Sequence, residues 1–240
     1  MDRVPPRCTN KCLPNARAPE ASIVADAARN LPLFPLNTVL FPGLPLPLHI
    51  FEERYKLMIA TCLVTDSEFG VVLIKSGDEV GGPADPFEIG TVARIMDVER
   101  LPEGRMNLIA SGTERFRLIE IVEREPFVVG RVELLPEPSE PVDPDLTADV
   151  RARFLAYLRD LRPDLAERTP AKLASDPGAL SYQLAGVLPI VATRRQALLE
   201  MDAVADRLQA LRRAVQREHQ SLLIAGRGAP TATIGPFSVN

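Results

Sequence analysis

The side chains best suited to proton transfer, nucleophilic attack or metal binding are few in this chain of 240 residues: two histidines, His49 and His219, and three cysteines, Cys8, Cys12 and Cys62. A hydrolase of the serine type needs a nucleophile and a base within hydrogen-bond reach, often marked by a sharp Gly-x-Ser-x-Gly turn, and neither histidine lies near one. His49 stands in Leu48-His49-Ile50-Phe51, at the approach to a helix, where capping or orienting the chain is the simpler role. His219 falls among Arg217, Glu218 and Gln220 near the end of a long helical stretch, where partial positive charge suits the helix dipole. Cys8 and Cys12 are four residues apart, but a zinc site would need two more ligands from distant segments, and Cys62 belongs to the apolar face of a helix. No Gly-x4-Gly-Lys-Ser/Thr phosphate loop occurs, so a P-loop ATPase is not encoded here. The residues point away from catalysis, metals and cofactors and toward binding.

The composition is that of a soluble globular protein, with 46% apolar and 25% charged residues. No apolar run approaches the roughly 18 to 20 residues that cross a bilayer. The odd number of cysteines and the lack of a secretory leader predict a cytoplasmic setting. A formal net charge of −4 argues against a general affinity for nucleic-acid phosphates. The arginines of the middle region, Arg94 to Arg131, are interleaved with acids from Asp97 to Glu125, as on a solvated sheet face with cross-strand pairs.

The elements that must position any binding surface begin at residues 31–55, where Pro32, Pro35, Pro42, Pro45 and Pro47 interrupt an apolar run. Proline removes a backbone donor, so the run is neither a helix nor a central strand, and an extended edge or lead-in segment is expected. Phe41-Pro42-Gly43-Leu44 fits a type II turn, with Pro42 fixing φ and Gly43 supplying the positive φ. Glu52 to Val64 places Tyr55, Met58, Ile59, Cys62 and Leu63 at helical spacing. Phe69–Ile74 reads as a buried strand, 75–86 as a Gly/Pro loop, and 89–101, 105–111, 114–123 and 127–135 as successive strands, with turns at Pro102-Glu103-Gly104 and Ser111-Gly112.

At 136–145, four prolines and four acids predict an extended linker. Beyond it the pattern is helical, over about 146–161, 177–188 and 193–225, with Ser175 and Thr193 as candidate caps. Ala197, Met201, Val204, Leu208, Leu211, Val215 and Leu222 form a heptad-like stripe, read as the core face of a helical bundle, with self-association through the long helix as the alternative. The predicted organisation is a loose extension over 1–30, a β-rich module over 31–135, a linker over 136–145, a helical module over 146–225 and a flexible tail over 226–240.

Leu-Pro-Leu-Phe-Pro-Leu, Leu-Phe-Pro-Gly and Leu-Pro-Leu-His-Ile-Phe-Glu-x-Arg-Tyr, all within residues 31–55, resemble the opening of the Lon protease N-terminal domain. The likeness extends through about Leu135 and more loosely to about Glu218, without segments resembling the ATPase or peptidase that follow in a full Lon protease, so the expectation is a stand-alone domain protein. The resemblance implies an α+β fold, with a PUA-like β pseudo-barrel followed by a helical bundle. It also implies a non-enzymatic role in recognising unfolded or exposed peptide segments, alone or with a protease or chaperone partner. Phe87, beside the Gly/Pro loop, and Met106, just after a turn, are apolar residues in positions expected to be exposed and are the candidate peptide contacts. RNA binding through the PUA-like fold is the alternative, disfavoured by the acidity and by the absence of Trp.

Overall fold

The computed structural model describes residues 28–77, 85–166, 169 and 172–225. Cys8, Cys12, most of the expected N-terminal extension, the centre of the 75–86 loop and the C-terminal tail lie outside them.

The chain first forms β1 (Arg29–Leu36), β2 (Pro45–Ile50), α1 (Glu53–Val64), β3 (Glu68–Ser76), β4 (Asp85–Pro86) and β5 (Ile89–Arg100). Then come β6 (Met106–Glu123), β7 (Val129–Leu135), α2 (Pro144–Leu161), the short α3 (Pro163–Ala166), α4 (Pro177–Val187), α5 (Ala192–Leu199) and α6 (Val204–Ala225). Strands β7, β6, β5 and β3 pair antiparallel in that order, and β1 closes the ring by pairing antiparallel with β7 and parallel with β3. A parallel pair needs a long crossover, and residues 37–67, carrying β2 and α1, supply it.

The proline-rich β1 is therefore not an edge. It divides its pairing, with Arg29–Pro32 against β7 and Leu33–Leu36 against β3, so that Pro32 and Pro35 each face a neighbour over only part of the strand. The edge character falls on β2, which pairs only with β6 among the described strands and alternates exposed Pro45, Pro47 and His49 with buried Leu46, Leu48 and Ile50. Prolines at alternate positions strip donors from one side of a strand, which discourages further strand addition there.

The turn before β2 has Gly43 at φ 77 and a Leu44 N–H bonded to the Phe41 carbonyl at 3.2 Å. It is pinned to β6 because the Gly43 N–H donates to the Gly112 carbonyl at 2.8 Å and the Gly112 N–H donates to Leu44 at 2.9 Å. Ser111-Gly112 is consequently no turn, and the strands expected at 105–111 and 114–123 are one continuous β6. Gly112 marks a close backbone approach: a Cβ there would lie 2.3 Å from the Phe41 carbonyl oxygen.

Three clusters fill the interior. Leu31, Leu33, Val72, Val92, Phe116, Leu118 and Val132 pack within the strand ring. Tyr55, Met58, Ile59 and Cys62 of α1 cover a second layer with Phe34, Leu48, Phe69 and Leu108. In the third, Val39, Phe41 and Leu73 join Val150, Phe154, Leu184, Leu208, Leu211 and Val215, so the helices pack directly onto the strand region.

The stretch expected as one helix over 193–225 is broken between Leu199 and Val204, although Glu200-Met201-Asp202-Ala203 contains neither Gly nor Pro. The cause is tertiary. Arg115 from β6, 2% exposed, donates through Nη1 to the Leu199 carbonyl at 3.0 Å and the Met201 carbonyl at 3.2 Å, while Arg207 Nη1 donates to Met201 at 2.8 Å. Arg207 is fully buried, stacks over the Tyr182 ring at 4.0 Å and pairs with Glu137, which also accepts from the Tyr182 hydroxyl. Burial, with the neighbouring Glu137, pushes the Tyr182 hydroxyl well above the usual phenol range despite the opposing Arg207. Thus residues 136–143, which have no helix or strand, are anchored at Glu137.

The caps also differ from expectation. Asp176, not Ser175, caps α4 by accepting from the Ala179 N–H at 2.8 Å, and Val191 precedes α5 without a side-chain cap. Of the heptad-like stripe, Val204, Leu208, Leu211 and Val215 of α6 are buried within the chain, whereas Ala197, on the separate helix α5, is exposed.

Candidate functional site

A cleft of about 780 Å³ opens at the seam between the strands and the end of α5. Its apolar part comes from Pro86, Phe87 and Ile89, where β4 leads into β5, and from Leu118, Ile119 and Ile121 of β6. The backbone fixes the β4–β5 side: the Phe87 N–H donates to the Leu73 carbonyl at 2.9 Å, and Glu88 accepts from the Leu118 N–H at 2.7 Å.

Local irregularity in β6 exposes its apolar side chains. The pairing with β7 shifts between Leu118 and Glu120 and again between Ile121 and Glu123, leaving Ile119 and Val122 as the extra residues of two β-bulges. A bulge re-aims the side chains around it, and these two isoleucine and valine side chains are 52% and 46% exposed. Met96 occupies the same position in a bulge of β5 and is 64% exposed. Composition and alternation alone assign β-branched residues in a strand to the core, so bulges were the signal that the sequence lacked.

Phe87 lies in this cleft, half-buried against the helical core. Met106 does not join it. Expected at an exposed position, Met106 is 8% exposed and packs in the layer beneath α1, because β6 begins immediately after the Pro102–Gly104 turn and its first residue faces inward.

The charged rim is mixed, with Lys75 and Arg117 beside Asp85, Glu88, Glu120 and Glu200. Glu200 ends α5, and its Oε1 accepts from Gln196 Nε2 at 2.9 Å; the same nitrogen donates to the Ile89 carbonyl at 2.9 Å. Gln196 is 1% exposed, so a buried amide holds a rim carboxylate in place.

The histidines stand elsewhere. His49 does not cap α1; it projects from β2, with Nδ1 2.8 Å from Asn107 Oδ1, and Asn107 in turn donates through Nδ2 to Glu99 at 2.9 Å. Because Asn107 Oδ1 only accepts, His49 Nδ1 is the donor in that chain across β2, β6 and β5. His219 meets Asp160 at 2.7 Å and lies edge-on to Tyr157, tying α6 to α2 rather than serving only the helix dipole. Among the described residues there is no group of three or more His, Cys, Asp or Glu suited to hold a metal ion, and no helix long and apolar enough to cross a membrane.

Known proteins share this architecture. The chain is 31% identical to the Lon N-terminal domain protein from Xanthomonas campestris, with a TM-score of 0.59 and coverage of 76% of this chain and 96% of that one. The N-terminal domain of the Mycobacterium avium complex Lon protease matches in fold, with a TM-score of 0.61 at 22% identity over 78% of this chain and 98% of that one. Among curated proteins, Lon protease 2 of Myxococcus xanthus is 28% identical over 222 residues, 90% of this chain and 27% of its own length. Lon protease of Paraburkholderia phytofirmans is 34% identical over 226 residues, 85% of this chain and 28% of its own length. The chain thus spans about a quarter of the length of these curated relatives. Residues 30–217 match the family described as the ATP-dependent protease La (LON) substrate-binding domain, and the chain belongs to that family.

Proposed function

We propose that this protein is a non-catalytic module that captures unfolded or exposed peptide segments in the cleft between β4–β5, β6 and α5. The observation that carries this reading is the pair of apolar side chains presented there, Phe87 half-buried and Ile119 turned outward by a bulge, on a backbone fixed by the bonds at Phe87 and Glu88. A cleft with a few apolar side chains inside a charged rim, on a backbone held by these bonds, suits brief capture of varied extended segments, each contributing a few apolar side chains. The family's description as a substrate-binding domain supports the same role, and the relatives named Lon protease suggest that captured segments are passed to a protease. Met106 serves the core in this reading, and Phe87 keeps the role of peptide contact.

The test is fluorescence anisotropy with a labelled, reduced and alkylated model protein. The expected result is measurable binding by the native protein and a loss of about thirtyfold in the Phe87→Ser, Ile119→Ser double variant, since each of the two apolar contacts removed costs about 1 kcal/mol. Unchanged affinity in a variant with a native circular dichroism spectrum rejects this cleft as the binding site.

A further inference from the structure

We infer that the cleft selects peptide segments in which apolar residues are flanked by lysine or arginine, and disfavours acidic ones; this rests on the peptide-binding reading above. Of the six charged side chains on the rim, Asp85, Glu88, Glu120 and Glu200 outnumber Lys75 and Arg117. Glu120 is engaged by Arg131 at 3.2 Å outside the cleft. Glu88 and Asp85 are exposed on the β4–β5 side, and Glu200 enters from the helical side.

Glu200 is the better defined of these carboxylates. Its Oε1 accepts from Gln196, a side chain 1% exposed that is itself bonded to the Ile89 carbonyl, so the carboxylate is held without the full entropy loss of ordering a free side chain when a ligand arrives. Its place on the rim depends on the chain ending α5 at Leu199, which the Arg115 bonds to the Leu199 and Met201 carbonyls enforce. A buried arginine behind the site therefore positions an acidic group in front of it. Nucleic acid fits poorly, because an excess of carboxylates repels phosphates.

Charge complementarity at an exposed rim is modest for each pair, and the effect grows when several carboxylates act on one ligand. The experiment uses three labelled peptides sharing one Leu/Phe-rich centre, flanked by Lys, by Glu or by Ser, titrated with the full chain at low and high salt. The expected result is that the Lys-flanked peptide binds about three to ten times tighter than the Glu-flanked one at low salt, with the gap closing at high salt. The Glu88→Gln, Glu200→Gln double variant should bring that ratio close to one. Equal binding of the Lys and Glu peptides by the native protein, or a preference for Glu, overturns the selectivity while leaving peptide capture intact. Failure of all three peptides to bind overturns both readings. A Lys preference that survives unchanged in the double variant also overturns the assignment, because the preference then arises elsewhere.

Discussion

Arg115 reaches from β6 into the helical layer and donates to the carbonyl of Leu199 at 3.0 Å, joining residues 84 positions apart in the chain. This bond satisfies the end of α5 and sets the break before α6. Its guanidinium is almost fully enclosed, with Asp202 at 3.2 Å and Glu137 at 3.8 Å as its acidic neighbours. Arg115→Met is expected to cost about 2–4 kcal/mol, because it leaves the Leu199 carbonyl without its donor, the Met201 carbonyl with Arg207 alone, and Glu137 with fewer partners. Urea denaturation measures the loss, and amide hydrogen exchange should quicken at 200–203. A variant as stable as the native protein contradicts the role given to this arginine.

Two glycines near one another in space should respond differently to alanine. Gly43 needs its positive φ of 77 but has open space where a Cβ would go, so Gly43→Ala should cost about 1 kcal/mol of backbone strain. At Gly112 a Cβ would meet the Phe41 carbonyl oxygen at 2.3 Å, and backbone does not yield easily. Gly112→Ala should cost about 3 kcal/mol or fail to fold, and thermal unfolding of the pair checks the ranking.

Glu68, 9% exposed, is bridged by Arg94 at 2.7 Å and Arg29 at 2.8 Å. Burial alone would raise its pKa, but the bonds and charges of Arg94 and Arg29 together outweigh it and hold the carboxyl below the usual range. A depressed folded pKa stabilises the protein above the unfolded value, about 4.3, and that contribution is lost as pH falls through the folded one. Glu68→Gln should therefore be less stable than the native protein at pH 7, with the gap narrowing below about pH 4. Denaturation midpoints across that range provide the check.

Cys62 is fully buried on the inner face of α1, and burial pushes its thiol up to about 11, against a smaller opposing effect of a backbone hydrogen bond. The thiolate is the reactive form. Iodoacetamide at pH 8 should leave Cys62 unmodified in the native protein and label it in urea, as read by peptide mapping. Rapid native labelling would show that α1 opens far more readily than its packing implies.

Much of the fold was legible because the motifs in residues 31–55 combine turn chemistry with apolar spacing, and because α1 and β3 carry strong periodicity. At three places tertiary contacts overrode local preference. Gly112 looks like a turn residue until its neighbour Phe41 is in place, and Glu200-Met201-Asp202-Ala203 looks helical until Arg115 and Arg207 take the carbonyls. Pro32 and Pro35 argued for an edge, whereas β1 gains two neighbours by giving each only half its length. At the cleft, Phe87 was accessible to reasoning from its loop, but Ile119 was not, because its exposure follows from a register shift against β7. Glu200 was equally hidden, since its place depends on the helix break.

Photo-crosslinking tests peptide capture in this cleft most directly, with an unfolded polypeptide carrying a diazirine probe bound to the full chain and the adducts located by mass spectrometry. Adducts are expected to concentrate at 86–89 and 117–121, and to be lost when Phe87 and Ile119 are changed to Ser. Adducts concentrated on another surface, or unaffected by those substitutions, would contradict capture in this cleft.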